Sequence, residues 1–113
     1  MSNVVDFSVL YGEPLVFKGL YGEDYKIPYD VPTELTLKLH HHHNEMVKIK
    51  DAAKAIEKLH AITLDILKLD ESKDVRIEDI KKFSHQSLLI VIQEFGNHIR
   101  KIESNPNSKS LDS

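Results

Sequence analysis

Four consecutive histidines at positions 40–43 are the residues whose type and spacing most suggest chemistry. Imidazole is a ligand for zinc, nickel and copper, and side chains three apart on a helix lie close together, so His40 and His43 could share one metal ion. A dedicated site also needs further ligands held by hydrogen bonds, and only Asn44 and Glu45 lie beside the run. We therefore interpret the run as a solvent-facing helix surface and predict no metal and no cofactor; a metal-responsive protein is the third alternative.

No other group of residues has the pattern of an active site. The chain has no cysteine, which removes thiolate metal ligands and cysteine nucleophiles. It contains no glycine-rich phosphate loop and no His-Glu-x-x-His motif, and the acids between positions 65 and 74 lack the order of a calcium loop. His60, His85 and His98 are scattered, and we expect structural or solvent-facing roles for them. The sequence predicts a protein that is not an enzyme.

The composition is that of one domain without a strong electrostatic preference. The 113 residues carry a formal net charge of -3, and the short basic stretches lie among acids. We therefore expect no nucleic-acid binding. No apolar run approaches the roughly 18 residues of a membrane span, and the first residues lack a signal-peptide pattern. We expect a soluble intracellular protein with no membrane partner, folded as a single domain over residues 1–103.

The first third of the chain has the pattern of strands and turns. β-branched and aromatic residues cluster at positions 4–10, 15–18 and 25–27, and glycines separate them. The connection over residues 19–24 contains Gly and Asp, which accept the left-handed dihedrals of a hairpin loop. The sequence predicts a β-hairpin or a small antiparallel sheet within residues 4–29.

The segment after Pro32 allows two interpretations. Leu35, Leu37 and Leu39 alternate with polar residues as in a half-buried strand, yet most residues here are good helix formers. Thr33 directly follows Pro32 and is well placed at the start of a helix. We favour a helix over residues 33–48 to a strand followed by a helix.

Residues 51–69 form the segment in which helix propensity, apolar spacing and end signals agree. Leu59, Ile62 and Ile66 recur at helical spacing, and Asp51 is placed as the N-cap. We interpret this helix as the scaffold on which the other elements pack. The small residues that would allow close approach are Ala52, Ala53, Ala55 and Ala61.

Apolar residues recur every three or four positions over residues 77–102, which predicts one long final helix. The stretch 88–92 is more apolar than one helix face requires, so it is either the deepest part of the core or an interface with another subunit. Gly96 costs about 1 kcal/mol relative to alanine and indicates a close helix crossing or a bend. From position 104 onward we expect a flexible polar tail. The candidates for partner or self contact are Leu88, Leu89, Val91, Ile92 and Phe95, followed by Leu35, Leu37 and Leu39.

Together these patterns predict an α+β domain that is mainly helical, with three to four helices over residues 33–102 behind an amino-terminal hairpin. An apolar final helix with a polar tail is typical of proteins that oligomerise or hold a peptide. The expected activity is protein binding, with a homo-oligomer as one outcome of the same surface.

Three features carry a resemblance to a known family. They are the Gly-x-x-Tyr-x-Ile-Pro segment at 22–28, the Val-Pro-Thr-Glu segment at 31–34 ahead of the leucines, and a final apolar helix closing on residues 102–107. With this pattern the chain resembles, over most of its length, the tail assembly chaperones of long-tailed phages and prophages of Gram-positive bacteria. The histidine run departs from that family.

The resemblance implies a non-enzymatic morphogenesis factor in the cytoplasm of the bacterial host. Such a factor binds the tape-measure protein, keeps its long apolar helices soluble, assists the tail-tube protein and is absent from the mature virion. It implies no catalytic residues. The alternative is a small bacterial adaptor or regulatory protein-binding domain unrelated to phage.

Overall fold

The structure is a computed structural model that describes Val4 and residues 12–103. These residues form two strands, β1 (Leu15–Leu20) and β2 (Glu23–Ile27), and four helices, α1 (Thr33–Lys48), α2 (Ala52–Leu67), α3 (Ile77–Ile80) and α4 (His85–Glu103). The predicted α+β, mainly helical class is confirmed. Apart from Val4, the predicted strand at 4–10 lies outside the described residues, as does the predicted tail at 104–113.

The hairpin of β1 and β2 turns at Tyr21 and Gly22, whose φ angles are 52° and 81°. Two residues with positive φ give the turn whose twist matches antiparallel strands. Gly19, with φ 70°, lies where the strand register shifts. The left-handed conformation of Tyr21 is held from outside the hairpin, because its ring stacks on Phe83 at 4.5 Å and its hydroxyl accepts a hydrogen bond from the Ser84 N–H at 2.6 Å.

Asp70 joins the hairpin to the end of α2. Its buried carboxylate accepts hydrogen bonds from the Lys26 amide at 2.8 Å, the Ser72 amide at 3.0 Å and the Ser72 hydroxyl at 2.6 Å. Desolvation raises the pKa of Asp70, but the bonds from Ser72 and Lys26, together with the Lys73 charge, outweigh it and lower the pKa. The bond to Lys26 also occupies part of the outer edge of β2.

The helical interpretation of residues 33–48 is confirmed by α1. Leu35 is buried and Leu39 is half-buried one turn later, whereas Leu37 is 61% exposed on the outer side. The alternation that resembled a strand therefore reflects helical spacing of Leu35 and Leu39, with Leu37 turned to the other face. Ile49 adopts an extended conformation, so α1 and α2 are separate helices.

The role of α2 as scaffold is confirmed, because it packs against α1, α3, α4 and β2. Asp51 is its N-cap and accepts a hydrogen bond from the Ala53 amide at 2.9 Å. The helix ends at Leu67, two positions before the predicted end at Leu69. The prediction that alanines allow other elements to approach α2 closely is wrong for Ala52, Ala53 and Ala61, because these residues are exposed. The packing is made by the buried side chains of Leu59, Ile62, Ile66 and Leu67.

The single final helix predicted over residues 77–102 is two helices, α3 and α4. The break follows from Ser84, whose Oγ accepts a hydrogen bond from the Ser87 amide at 3.1 Å and so caps the start of α4. The intervening turn allows Phe83 to be buried. At Gly96, an added Cβ would meet only the Arg100 guanidinium at 3.8 Å within the described part of the chain, so the predicted close helix crossing is not there.

Candidate functional site

Several of the residues predicted to contact a partner lie in the core of the chain itself. Leu88, Val91 and Phe95 are 1%, 1% and 0% exposed, and Leu35 is 8% exposed. They occur at the spacing that turns the inner face of each helix towards α2. These side chains are not on the surface of the folded chain, which corrects the expectation that they are displayed to a partner. Of the two interpretations of the 88–92 stretch, the core is the one that applies to Leu88 and Val91.

The other predicted contact residues reach the surface. Leu89 is 44% exposed and Leu37 is 61% exposed, while Leu39 and Ile92 are half-buried at the edge of the core. Leu39 and Ile92 line one groove, and Leu89 lies on the same face of α4 as Ile92, three positions before it. Leu37 is on the outer side of α1, away from this groove.

The groove lies between α1 and α4 and has a volume of about 460 Å³. Both helices pack on α2, but they make little direct contact with each other, and this divergence opens the groove. Gly96 contributes no side chain to fill it. We call it the apolar groove. Its lining residues are Leu39, His40, His42 and His43 from α1 and Ile92, Gln93, Gly96, Ile99 and Arg100 from α4.

The apolar groove combines a hydrophobic surface with nitrogen-bearing side chains. Leu39, Ile92 and Ile99 supply the apolar area, and His40 and Arg100 are among the polar lining residues. Among the described residues that line it, none is acidic. Gly96, Ile99 and the histidines were not among the predicted contact residues, since the histidine run was interpreted as a solvent-facing surface or a metal site and Gly96 as a bend or helix crossing.

Two exposed apolar residues extend the walls of the apolar groove. Val47 is 78% exposed and follows His43 by four positions, one turn along α1. Leu89 precedes Ile92 by three positions on α4. Each helix therefore carries its apolar stripe beyond the enclosed part of the groove.

A second groove lies between α1 and α2, and its charges are paired within the chain. Lys38 Nζ bonds Asp65 Oδ2 at 3.0 Å, and Lys58 Nζ bonds Glu45. The hydrogen bond that Lys38 donates to Asp65 raises the pKa of Lys38, and the hydrogen bond that Glu45 accepts from Lys58 lowers the pKa of Glu45. We call it the ion-pair groove. It has a volume of about 200 Å³ and is lined by Lys38, His41, His42, Glu45, Lys58, Ala61, Ile62 and Asp65.

The histidine run is divided between the two grooves. His41 lines the ion-pair groove, His40 and His43 line the apolar groove, and His42 borders both. Burial lowers the pKa of His42, and Lys58 lowers it further. Its Nε2 is buried without a hydrogen-bond partner in the described structure. Across Val4 and residues 12–103, no three His, Asp or Glu side chains converge in an arrangement that could hold a metal ion.

His98 is a structural residue. It is 5% exposed, and its Nε2 lies 3.1 Å from the Pro28 carbonyl oxygen. Its ring also meets the Tyr29 ring in a T-shaped arrangement, with a centroid distance of 5.8 Å and an interplanar angle of 90°. These contacts fix the segment that leads into α1 against α4, and therefore help to set the separation of the two walls of the apolar groove.

Comparison with protein-family models, curated proteins and solved structures finds no match. In the part of the chain that the structure describes, no helix is both long enough and apolar enough to cross a bilayer.

Proposed function

We propose that the protein is a tail assembly chaperone of a long-tailed phage or prophage. In this role it binds the tape-measure protein and assists assembly of the tail tube in the cytoplasm of the bacterial host. The observation that carries the proposal is the apolar groove, which is open along two helices and continues into exposed Val47 and Leu89. The resemblance of residues 22–34 to that family supplies the identity of the partner.

The shape of the apolar groove suits a helical segment of a partner. A helix presents apolar side chains at positions i, i+3, i+4 and i+7, and a groove between two helices receives that stripe. Burial of apolar surface stabilises such a complex by about 25 cal/mol for each Å² removed from water. A chaperone for long apolar helices would use this contact to keep one segment covered until assembly.

The size of the apolar groove favours reversible binding. A stable protein interface uses about 20–30 residues on each side, and the groove with its two extensions offers fewer. Weak association is consistent with a factor that leaves before the particle is complete. We propose binding rather than catalysis, since the described lining residues bring no hydroxyl nucleophile or carboxylate base together.

Co-expression with a tape-measure fragment tests the proposal. The soluble fraction of the fragment should rise with the wild-type chain and fall back with the Leu89→Asp variant. Ile90→Asp is a matched control, because Ile90 is 48% exposed and Leu89 is 44% exposed, yet Ile90 is turned about 100° away from Leu89 around α4. We expect the Ile90→Asp variant to solubilise the fragment as well as wild type does.

If folded Leu89→Asp protein still solubilises the fragment, the groove is not the contact surface. The genomic neighbourhood tests the class of protein separately. A downstream gene for a very long helical protein is expected for the chaperone. Its absence would favour the alternative, a small bacterial adaptor or regulatory domain that uses the same groove for another partner.

A further inference from the structure

We propose that a pocket between the hairpin and the segment leading into α4 binds a small organic carboxylate with an aromatic body. The site is separate from the apolar groove and does not rest on the proposed function. We call it the aromatic pocket. Its volume is about 370 Å³, which is within the range of pockets that hold small ligands. The lining residues that would meet the ligand are Leu20, Tyr21, Tyr25, Lys73, Lys82 and Phe83.

Two contacts join the hairpin to the opposite wall of the aromatic pocket. The Tyr21 ring stacks on Phe83 with an interplanar angle of 2°, and Glu23 accepts a hydrogen bond from Lys73 Nζ at 2.7 Å. Val75, which is 6% exposed, also lines the pocket. The walls are therefore fixed by tertiary contacts before any ligand binds, and a preformed site loses less affinity to ordering.

Tyr21 supplies an aromatic surface at the rim of the pocket. Its φ angle of 52° is uncommon for a residue with a bulky side chain, and Asn or Gly is the usual choice in such a turn. The residue is 53% exposed although its ring is stacked on Phe83. A half-exposed ring beside Leu20 and Phe83 offers the flat apolar contact that suits an aromatic group of a ligand.

Tyr25 carries a hydrogen-bond donor that is unused within the described residues. It is 7% exposed, and Lys73 Nζ lies 5.9 Å from the centroid of its ring. In the described part of the chain, its hydroxyl makes no hydrogen bond. Burial raises the pKa of Tyr25, and Glu23 and Asp79 raise it further, so the hydroxyl keeps its proton at neutral pH. A ligand that enters the pocket would satisfy this donor with an acceptor oxygen.

The charges of the aromatic pocket favour an anionic group. Lys82 lines the pocket, and its Nζ forms no ion pair with Val4 or within residues 12–103. The carboxylates of the lining are already bonded to other groups of the chain: Glu23 to Lys73 at 2.7 Å, Asp74 to the Arg76 guanidinium at 3.2 Å and Asp79 to the Arg76 amide at 3.1 Å. Among these described charges, the one without a partner is an ammonium. With the Tyr25 hydroxyl, it forms a donor set that suits a carboxylate.

Three compounds with the same phenyl group and different polar ends test the class of ligand. They are phenylacetate, phenylacetamide and phenethylamine, which are anionic, neutral and cationic at neutral pH. Amide chemical shifts in two-dimensional NMR give the dissociation constant and locate the site. Phenylacetate should shift the amides of residues 20–25 and 73–83, with a Kd of about 1 mM because so small a ligand has few atoms to contribute. It should bind at least about threefold more tightly than phenylacetamide, and phenethylamine should bind more weakly than both.

Two variants assign the donors. Tyr25→Phe removes the hydroxyl and keeps the ring, so the chain should fold and its affinity for phenylacetate should fall about three- to tenfold. Lys82→Gln should lower the affinity for phenylacetate and leave that for phenylacetamide unchanged. Lys81→Gln is the matched control, because Lys81 is the exposed neighbour of Lys82 and does not line the pocket. It should bind phenylacetate as wild type does at the same salt concentration.

Equal affinity for the three compounds, no binding of phenylacetate, or shifts confined to residues outside the aromatic pocket would overturn the inference. Unchanged binding of phenylacetate to folded Tyr25→Phe and Lys82→Gln proteins would overturn it too. The proposed function fails separately, because Leu89 lies outside this pocket and the Leu89→Asp variant should still bind phenylacetate. A failure to solubilise the tape-measure fragment therefore leaves this inference standing, and a failure to bind phenylacetate leaves the chaperone proposal standing.

Discussion

The two grooves beside α1 differ in how far Val4 and residues 12–103 complete them. In the ion-pair groove, Lys38 and Lys58 are each bonded to an acid of the same chain, and Ile62 beneath them is 3% exposed. In the apolar groove, Ile92 is only half-buried and Leu89 beside it is 44% exposed. On the side of the ion-pair groove, packing against α2 buries the apolar side chain beneath the charges. On the side of the apolar groove, apolar area remains in contact with water, and a partner could cover it.

The difference arises from how α1 and α4 meet α2. α1 contacts α2 closely enough for long charged side chains to bridge them, as Lys58 and Glu45 do. α1 and α4 share no such contact, and the glycine at position 96 widens the space between them. The same helix thus has one face that packs closely and one face that stays open, because α2 lies nearer to it than α4 does.

The largest expected effect is a difference in stability between two alanine variants, one at Ile62 in the ion-pair groove and one at Ile92 in the apolar groove. Ile62→Ala should lower the free energy of unfolding by about 2–5 kcal/mol, because it leaves a cavity in a packed site. Ile92→Ala should cost about 1–2 kcal/mol, because part of that side chain is already in water. Urea denaturation followed by circular dichroism measures both. Equal losses would mean that the apolar groove is closed in solution.

A stabilising change is expected in the wall of the apolar groove. Gly96→Ala should raise the free energy of unfolding by about 1 kcal/mol, because alanine is the better helix former and the space at this position is open. The same urea titration, compared with wild type at equal protein concentration, detects the gain. A loss of stability would show that part of the chain packs against Gly96, which would contradict the open groove.

Acid should lower the free energy of unfolding through His42, which borders both grooves. Its pKa is lowered by burial and by Lys58, so the unfolded chain takes up a proton at a higher pH than the folded chain does. The His42 contribution is therefore fully present above about pH 6.5, the usual value for histidine, and is lost as pH falls towards the lowered pKa. His42→Leu should flatten the decline of stability in this window.

His41→Gln is the matched control, because His41 is an exposed neighbour in the same helix. It should leave the pH dependence of unfolding close to that of wild type. If the stability of His42→Leu protein declines with acid as steeply as that of wild type, another histidine governs the effect.

The parts of the fold that follow from local signals could be predicted from the sequence. Asp51 caps α2 as expected, and Tyr21 with Gly22 turns the hairpin within the predicted connection. The break before α4 was missed although its signal was present, since Ser84 lies three positions before the amide that it caps. In that case the continuous apolar period outweighed a single capping residue.

The candidate site could be predicted only in part. A helical projection of α4 separates Leu88, Val91 and Phe95 from Leu89 and Ile92, so the sequence contained the division between core and groove. The groove itself depends on the distance between α1 and α4, which are far apart in the chain and are held by α2. No spacing within one helix encodes that distance.

The smallest expected effect is the loss of stability on breaking the ion pair between Lys58 and Glu45. Lys58 and Glu45 have side chains that are 43% and 52% exposed, and pairs in water contribute little because solvent screens them. Replacing either residue by alanine should change the urea midpoint less than Ile62→Ala does, and the double variant should differ from the sum of the singles only at low salt. A coupling that survives high salt would show that the ion-pair groove is more secluded than its exposure indicates. The ion-pair groove would then be shielded from solvent more strongly than the exposure of its side chains indicates, and the contrast with the open apolar groove would be larger.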